Sequence, residues 1–199
     1  MKTPKIRELG EAIRALVGGP YTTKYPYEQT PMAKEFRGIL KCDSEKCMGC
    51  GACIEVCPAD SRKLEDDANK KIRKIIYYSD KCIFCGQCEA ACPTEALKHI
   101  NEFDLANVTR DEYTEVLEKE LVLCEKCGKI ISTKQHLLWI ADKVGELAYS
   151  NPTLWIPLAR ELNIVEHDKS NAYPYRSGHI VMLCPDCRRE TWLHETWGY

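Results

Sequence analysis

Residues 47–58 read Cys47-Met-Gly-Cys50-Gly-Ala-Cys53-Ile-Glu-Val-Cys57-Pro58, and residues 82–93 read Cys82-Ile-Phe-Cys85-Gly-Gln-Cys88-Glu-Ala-Ala-Cys92-Pro93. Both runs have the form C-x2-C-x2-C-x3-C-P, and the second begins 35 residues after the first. Packing alone does not require such regular spacing, whereas metal ligands do. The two runs therefore predict a metal-binding fold built from two similar halves.

The composition restricts the class of protein. The chain has 199 residues, of which 44% are hydrophobic and 29% charged, so we expect a folded globular protein with one domain or two small ones. Thirteen cysteines are an odd number, and a closed disulfide framework would leave one unpaired. The N-terminus lacks an apolar signal region, and no segment approaches the roughly 18 apolar residues that span a bilayer. We therefore expect an intracellular, non-integral protein with reduced thiols.

The charges are unevenly distributed along the chain. Residues 1–100 contain 17 Lys and Arg against 14 Asp and Glu, a net charge of +3, whereas residues 101–199 contain 11 against 16, a net charge of -5. A nucleic-acid-binding protein needs a strongly basic face, and this sequence does not indicate one. We therefore expect no nucleic-acid partner.

The double run resembles the ligand arrangement of bacterial ferredoxins with two [4Fe–4S] clusters. In that arrangement the first three cysteines of a run ligate one cluster, and the fourth ligates the other. The resemblance implies that cluster I is held by Cys47, Cys50, Cys53 and Cys92. It implies that cluster II is held by Cys82, Cys85, Cys88 and Cys57.

The sequence allows two roles for each of two residues near these ligands. Cys42, five residues before the first run, is interpreted as a thiol outside both ligand sets, with an alternative role as a ligand. Phe84, between two ligands, is a candidate either to shield cluster II from water or simply to pack.

The segment between the runs, residues 61–81, predicts a β-hairpin. Residues 72–78 fit the period of a strand, but neither of the two alternating sets is cleanly polar: one is Ile72, Lys74, Ile76 and Tyr78, and the other is Arg73, Ile75 and Tyr77. Residues 65–70 form a polar tip. The basic residues beside this tip fit a solvated surface, and they also fit a site that steers an acidic electron-transfer partner.

The last four cysteines form two separated pairs, Cys124-Glu-Lys-Cys127 and Cys184-Pro-Asp-Cys187. Four thiolates in two C-x2-C pairs suit a tetrahedral structural zinc ion. A mononuclear iron ion of the rubredoxin type fits the same ligands. Because such a site has no open coordination position, we assign it no catalytic role.

The 56 residues between these pairs indicate helices. Thr133 is a candidate N-cap for a helix whose apolar residues recur at helical spacing and which ends near Asn151-Pro152. A second short helix is expected over residues 157–162. A metal ion would hold the two ends of this insert together.

The N-terminal segment predicts an amphipathic helix followed by an extended arm. The helix begins at Thr3-Pro4 and ends at Gly18-Gly19, and residues 20–36 are rich in Pro and Tyr. Its apolar stripe consists of Ile6, Leu9, Ile13, Leu16 and Val17. A helix of this length is marginal alone, so we expect the stripe to dock on another subunit or on a membrane surface.

With its flanking motifs, the chain resembles the two-cluster iron–sulfur subunit shared by respiratory complex I and the energy-converting membrane-bound [NiFe] hydrogenases. The resemblance covers about residues 20–107. It rests on Tyr25-Pro26, Phe36-Arg37-Gly38, the second run with its continuation Pro93-Thr-Glu-Ala-Leu97, and Glu102-Phe-Asp-Leu-Ala106. The additional C-terminal cysteine pairs are similar to the longer subunit of formate hydrogenlyase-type complexes.

This resemblance implies an electron-transfer subunit without substrate chemistry of its own. Its partners would be hydrogenase-like small and large subunits and a membrane anchor subunit, with a ferredoxin or an upstream oxidoreductase as electron donor. It implies a peripheral position at the cytoplasmic face of the cell membrane. The alternatives are the equivalent subunit of a sulfur-reducing or quinone-reducing complex I relative, or a free ferredoxin-like carrier.

The expected fold class is α+β. We expect an N-terminal helix and docking arm over residues 1–39 and a 2[4Fe–4S] ferredoxin-like core over residues 40–107. A zinc-ribbon-like segment with a helical insert is expected over residues 108–199.

Overall fold

The computed structural model describes residues 6–28, 30–164 and 181–198. The chain divides into two units, residues 1–36 and residues 37–199. The predicted helix start at Thr3-Pro4 lies outside the described residues, as does part of the insert between the last two cysteine pairs.

In the first unit, helix α1 spans Ile6–Gly18 and confirms the predicted amphipathic helix over the residues described. None of its residues is buried, and its apolar stripe is exposed, with Ile6 92% and Leu16 85% accessible. The described residues that follow α1 in this unit form turns and irregular backbone without a helix or strand.

The second unit mixes helices and strands, as predicted. In chain order these are β1 (Leu40–Cys42), α2 (Ala52–Glu55), β2 (Arg62–Asp67), β3 (Ile72–Tyr78), α3 (Gln87–Ala90), β4 (Leu97–His99), β5 (Thr114–Leu123), β6 (Ile130–Thr133), α4 (Lys134–Val144), α5 (Pro152–Glu161) and α6 (Pro185–Trp197). Short 3-10 segments lie at Ser79–Lys81, Asp111–Tyr113 and Gly145–Ser150.

The first six of these elements form two similar halves, β1-α2-β2 and β3-α3-β4. Each strand of one half pairs with a strand of the other half. Strand β1 pairs antiparallel with β4, and β2 pairs antiparallel with β3. Leu40, Tyr77 and Leu97 form the buried core between the halves, and half-buried cysteines pack against it. Because each strand pair joins one half to the other, cysteines of both runs meet around one small core.

Strands β2 and β3 confirm the predicted hairpin, but β3 has a second neighbour that the sequence analysis did not predict. It pairs antiparallel with β5, which pairs with β6, so the sheet has the order β2-β3-β5-β6. Strand β3 is therefore paired along both edges. Ile75, Ile76 and Tyr77 are consecutive and all buried, and because successive side chains of a strand point to opposite faces, both faces are covered there. This burial on both faces explains why the strand lacks a polar face.

The four-stranded sheet contains strands from both sides of the predicted domain boundary between residues 107 and 108. Strand β3 comes from the cysteine-rich halves, whereas β5 and β6 come from the C-terminal segment. The division into residues 1–39, 40–107 and 108–199 stays a prediction.

Helix α4 begins where the sequence predicts. The hydroxyl of Thr133 accepts a hydrogen bond from the backbone N–H of His136, which is the expected N-cap interaction. The α-helix ends at Val144, before the predicted end near residue 151, because Gly145 adopts φ 64° and the chain continues as a 3-10 helix to Ser150.

Helix α5 begins earlier than the predicted residue 157. The side chain of Asn151 caps the helix by accepting from the N–H of Thr153, and Pro152 occupies the first turn, where no N–H donor is needed. Leu137 and Ala141 of α4 pack against Leu154 of α5 in a small apolar cluster.

The segment before β1 is held closely against the segment after β4. The backbone N–H of Ile39 donates to the carbonyl oxygen of Glu102 at 2.8 Å, and the N–H of Ile100 donates to the carbonyl oxygen of Ile39 at 2.9 Å. A Cβ atom at Gly38 would lie only 2.2 Å from the carbonyl oxygen of Glu102 and 2.3 Å from that of Ile100. Only glycine fits this approach.

We therefore expect Gly38→Ala to destabilise the protein. The added methyl group must displace backbone, which costs about 1–3 kcal/mol and lowers Tm by roughly 2–10 °C for a chain of this size. Thermal unfolding under anaerobic conditions measures the change. The control is Gly10→Ala in α1, where a Cβ atom meets nothing within 4 Å. An unchanged Tm for Gly38→Ala would contradict the close approach.

Candidate iron–sulfur and metal sites

The two short helices that follow the cysteine loops each begin at a glycine with a left-handed backbone. Gly51 precedes α2 with φ 85°, and Gly86 precedes α3 with φ 78°. This conformation is accessible to glycine and costly for most other residues. The two turns place Cys53 and Cys88, the third cysteines of the runs, on equivalent helices.

Two cavities of the second unit gather the eight cysteines of the runs. One is lined by Cys47, Cys50, Cys53 and Cys92, among other residues. The other is lined by Cys57, Cys82, Cys85 and Cys88, among other residues. The fourth cysteine of each run thus lies with the first three of the other run, as crossed ligation requires. Crossed ligation itself stays a prediction.

Cys42, the cysteine that belongs to neither run and to neither C-terminal pair, also lines the first cavity. A hydrogen bond between the thiols of Cys42 and Cys47 lowers the pKa of Cys47 to about 6 and raises the pKa of Cys42. Cys42 therefore lies beside the proposed ligands of cluster I, and its interpretation as a thiol outside both sets stays a prediction.

Equivalent backbone groups donate to the fourth cysteine of each run. The N–H of Ser61 donates to Cys57 Sγ at 3.3 Å, and the N–H of Ala96 donates to Cys92 Sγ at 3.3 Å. Burial raises the pKa of Cys57, but hydrogen bonds from the Ser61 hydroxyl and from neighbouring N–H groups lower it by more. These donors favour the thiolate, which is the form that binds iron.

The first cavity is lined by a buried side chain that has donors without an acceptor. Arg62 lines this cavity, and its Nε and Nη2 have no partner in the described part of the chain. Buried donors normally find acceptors. Sulfur atoms of a negatively charged [4Fe–4S] cluster fit this position, so the residues present suit the implied group. His99 lines the second cavity, and its Nδ1 bonds to Glu89.

Side chains outside the cysteine runs support the two loops, and the sequence analysis did not single them out for this role. Lys119 Nζ, from β5, donates to the backbone carbonyl oxygen of Ser44. The hydroxyl of Thr133 donates to the backbone carbonyl oxygen of Met48. Both donors are buried. No local motif could have indicated these contacts, because they join residues 75 and 85 positions apart.

The second loop is supported by the segment that precedes β1. Arg37 Nη1 donates to the carbonyl oxygen of Cys85 at 2.7 Å, and its guanidinium lies against Gly86. Ile83 lines the adjacent cavity, while Phe84 is half-buried and adopts φ 53°. The shielding role considered for Phe84 stays a prediction.

The remaining four cysteines converge on one point. The sulfur atoms of Cys124, Cys127, Cys184 and Cys187 all lie within 4.8 Å of one another. Sγ of Cys127 and Sγ of Cys184 are 3.7 Å apart. A tetrahedral ion with metal–sulfur bonds of about 2.3 Å places its sulfur ligands about 3.8 Å apart. The geometry therefore suits the predicted four-thiolate metal site.

Local structure presents these thiols to the proposed metal ion. Cys184 is the N-cap of α6, and Cys187 lies in its first turn, where the helix dipole favours negative charge. Burial raises the pKa of Cys124, but N–H groups of Cys184, Cys127 and Lys126 outweigh this effect and lower that pKa to about 6. These donors favour the thiolate of Cys124, whereas burial and hydrogen bonds with the neighbouring thiols raise the pKa of Cys187.

Comparison with known proteins identifies the segment that contains both runs. Residues 46–96 match the family model of the 4Fe-4S dicluster domain. This segment contains both cysteine runs and is similar to that family. The finding supports iron–sulfur clusters as its cofactors and a ferredoxin-type core within the mixed fold.

Curated relatives of the dicluster domain include subunit I of the chloroplastic NAD(P)H-quinone oxidoreductase. The protein from Morus indica is 41% identical over 64 residues, which cover 30% of this chain and 37% of the relative. Those from Chaenactis santolinoides and Phaseolus vulgaris are 39% identical over 64 residues, covering 30% of this chain and 37% and 38% of the relatives. The chain therefore spans less than two fifths of the length of these relatives.

A solved structure also aligns with the chain. It is described as the membrane-bound sulfane sulfur reductase, an archaeal respiratory membrane complex. The match has a TM-score of 0.44 and 22% sequence identity, and it covers 67% of this chain and 94% of the matched chain.

The lining of the two cavities predicts the effect of replacing the fourth cysteine of each run. Cys57→Ser should perturb cluster II, which the first three cysteines of the second run are expected to hold. Cys92→Ser should perturb cluster I, which the first three cysteines of the first run are expected to hold. EPR spectra of the anaerobically purified variants identify the affected cluster by comparison with Cys82→Ser and Cys47→Ser. If Cys57→Ser instead perturbs the same cluster as Cys47→Ser, the crossed assignment is wrong.

The four C-terminal thiols predict a separate metal ion. Anaerobically purified protein should contain about one zinc ion per chain, or one additional mononuclear iron, and Cys124→Ser should lose it because three thiolates remain. Metal analysis by mass spectrometry measures the loss. Cys42→Ser, which removes a thiol outside this site, should keep the ion. Equal metal content in the Cys124→Ser variant and the wild type would contradict the site.

Proposed function

We propose that this chain is an electron-transfer subunit that carries two [4Fe–4S] clusters within a membrane-bound complex related to respiratory complex I. The observation that carries the proposal is the pair of cavities that gather the eight cysteines of the two runs, four in each, within the segment that matches the dicluster family. A bound [4Fe–4S] cluster takes up and releases single electrons. The chain's own residues hold the clusters, bury them and donate hydrogen bonds to their sulfur atoms.

Placement in a multi-subunit complex is supported by the relatives, which are named as a subunit of a quinone oxidoreductase. The exposed apolar stripe of α1 supports it as well, since a contiguous apolar face favours association with a partner. The described residues include no helix that is long and apolar enough to cross a bilayer. We propose that the chain sits peripherally on the cytoplasmic side and is held there by other subunits.

Within this family of complexes we propose the hydrogenase branch, of the formate hydrogenlyase type. The four C-terminal thiols support this assignment, because the sequence resembles the longer subunit of those complexes in this region. Electrons would then pass from a ferredoxin or an upstream oxidoreductase through both clusters toward hydrogenase-like subunits. The four-thiolate ion would be structural and outside the electron path.

The test is anaerobic purification of the native protein in mild detergent, followed by mass spectrometry and assays for iron, sulfide and hydrogen evolution. We expect about eight iron and eight sulfide per chain at the two clusters, and co-purifying membrane subunits with hydrogen-evolving activity. Membrane subunits without this activity would favour a sulfur-reducing or quinone-reducing relative. Recovery of the chain alone would contradict the subunit role.

The exposed stripe predicts a variant that separates the chain from its partners. Ile13→Glu combined with Leu16→Glu places two charges where apolar side chains should be buried, at a cost of at least about 1.5 kcal/mol each. Since 1.4 kcal/mol corresponds to a factor of ten in affinity, recovery of partner subunits should fall by tenfold or more. Quantitative mass spectrometry measures the recovery.

The matched control is Arg7→Glu, a change of charge on the polar side of the same helix. It should leave recovery of the partners unchanged. If the double variant recovers its partners as well as the control does, α1 is not the docking element.

A further inference from the structure

A buried arginine lies at the first proposed cluster site. Arg62 is the first residue of β2, and only 4% of its surface is accessible. Its Nη1 is 3.9 Å from Sγ of Cys53. Its guanidinium carbon lies 4.5 Å from the centre of the Tyr77 ring, a stacking contact that fixes the plane of the group.

Arg62 lies beside thiols of the first cavity, and Glu115 lines another cavity that Arg62 also borders. Arg62 forms no ion pair within the described residues, with Glu115 or with any other carboxylate, and its Nε and Nη2 make no hydrogen bond there. Its positive charge lowers the pKa values of Cys47 and Cys53, although burial of Cys53 has the larger and opposite effect. Arg62 therefore acts electrostatically on two of the proposed ligands of cluster I, and its charge also lowers the pKa of Cys88, a proposed ligand of cluster II, against the larger effect of burial.

An arginine cannot lose its proton inside a protein, so burial without an anion is strongly unfavourable. A [4Fe–4S] core with four thiolates carries about two negative charges by formal counting. The cluster is therefore the anion that this position requires. Hydrogen bonds from a cation to sulfur also strengthen as the sulfur becomes more negative.

We propose that Arg62 is the residue that tunes the reduction potential of cluster I, and that its fixed charge raises this potential by favouring the reduced cluster. The inference rests on the proposed function, since it requires that the clusters are present. On reduction, cluster I gains one electron from its donor and becomes more negative by one charge. Arg62 keeps its proton throughout, and no other bond changes.

The effect should be larger at cluster I than at cluster II. Arg62 lines the first cavity and approaches Cys53 directly. The Tyr77 ring lies against the guanidinium, and the nearby thiol of Cys82, a proposed ligand of cluster II, contributes after burial to raising the pKa of Tyr77. The guanidinium itself lines the first cavity and does not line the second.

Redox titration of the anaerobically purified protein, monitored by EPR, tests the proposal. Arg62→Met removes the charge and keeps an unbranched apolar side chain. We expect the reduction equilibrium of cluster I, the cluster that Cys47→Ser perturbs, to shift at least tenfold toward the oxidised form. For a one-electron couple this shift equals about 59 mV. Cluster II should shift less.

Three further variants separate charge from packing. Arg62→Gln should shift the equilibrium in the same direction as Arg62→Met, whereas Arg62→Lys keeps the charge and should restore most of the wild-type potential. Lys63→Met removes a charge from the next residue of β2, which is exposed on the opposite face of the strand, and should leave both potentials unchanged.

Two outcomes would overturn the inference in distinguishable ways. If the wild-type protein holds two clusters, and Arg62→Met and Arg62→Gln titrate like Lys63→Met, Arg62 does not tune cluster I and the proposed function stands. If the anaerobically prepared wild-type protein contains no iron and no sulfide at the cysteine runs, the proposed function fails and the inference fails with it.

Discussion

Eight cysteine side chains must be accommodated around a very small core, and the rest of the structure depends on this constraint. Leu40, Tyr77 and Leu97 are the buried residues between the two halves, and half-buried cysteines pack against them. A core of this size contributes little stability alone. Ligand bonds to iron would then supply much of what holds the halves together.

The constraint also explains which groups surround the cavities. Backbone N–H groups at equivalent positions donate to Cys57 and Cys92, and left-handed glycines turn the chain so that short helices carry the third ligands. The buried Nε and Nη2 donors of Arg62 have no acceptor among the described residues, which a cluster would provide. Each feature lowers the free energy of burying negatively charged sulfur.

The C-terminal strands extend this arrangement beyond the two halves. Strand β5 pairs with β3, and the side chains of Lys119 and Thr133 donate to carbonyl oxygens of the first cysteine loop. Thr133 also caps α4, whose apolar residues pack against α5. The segment that carries the four-thiol site is therefore joined to the first loop by a sheet and by buried hydrogen bonds.

Local sequence patterns predicted the features that local physics decides. The spacing of the cysteines predicted both sets of sites, alternation predicted the hairpin of β2 and β3, and the cap at Thr133 fixed the start of α4. Patterns could not predict the pairing of β3 with β5, because its partners are far apart in the chain. For the same reason the contacts of Arg37 and Lys119 with the loops, and the burial of Arg62, emerge only from the folded structure.

We propose that the protein holds two clusters and that each takes its fourth ligand from the other cysteine run. Anomalous diffraction at the iron edge, from crystals grown anaerobically, tests this crossed ligation. We expect two compact iron peaks near the cysteine runs, with Cys92 at the peak of Cys47 and Cys57 at the peak of Cys82. A single peak, or a peak that Cys47 and Cys57 share, would contradict it.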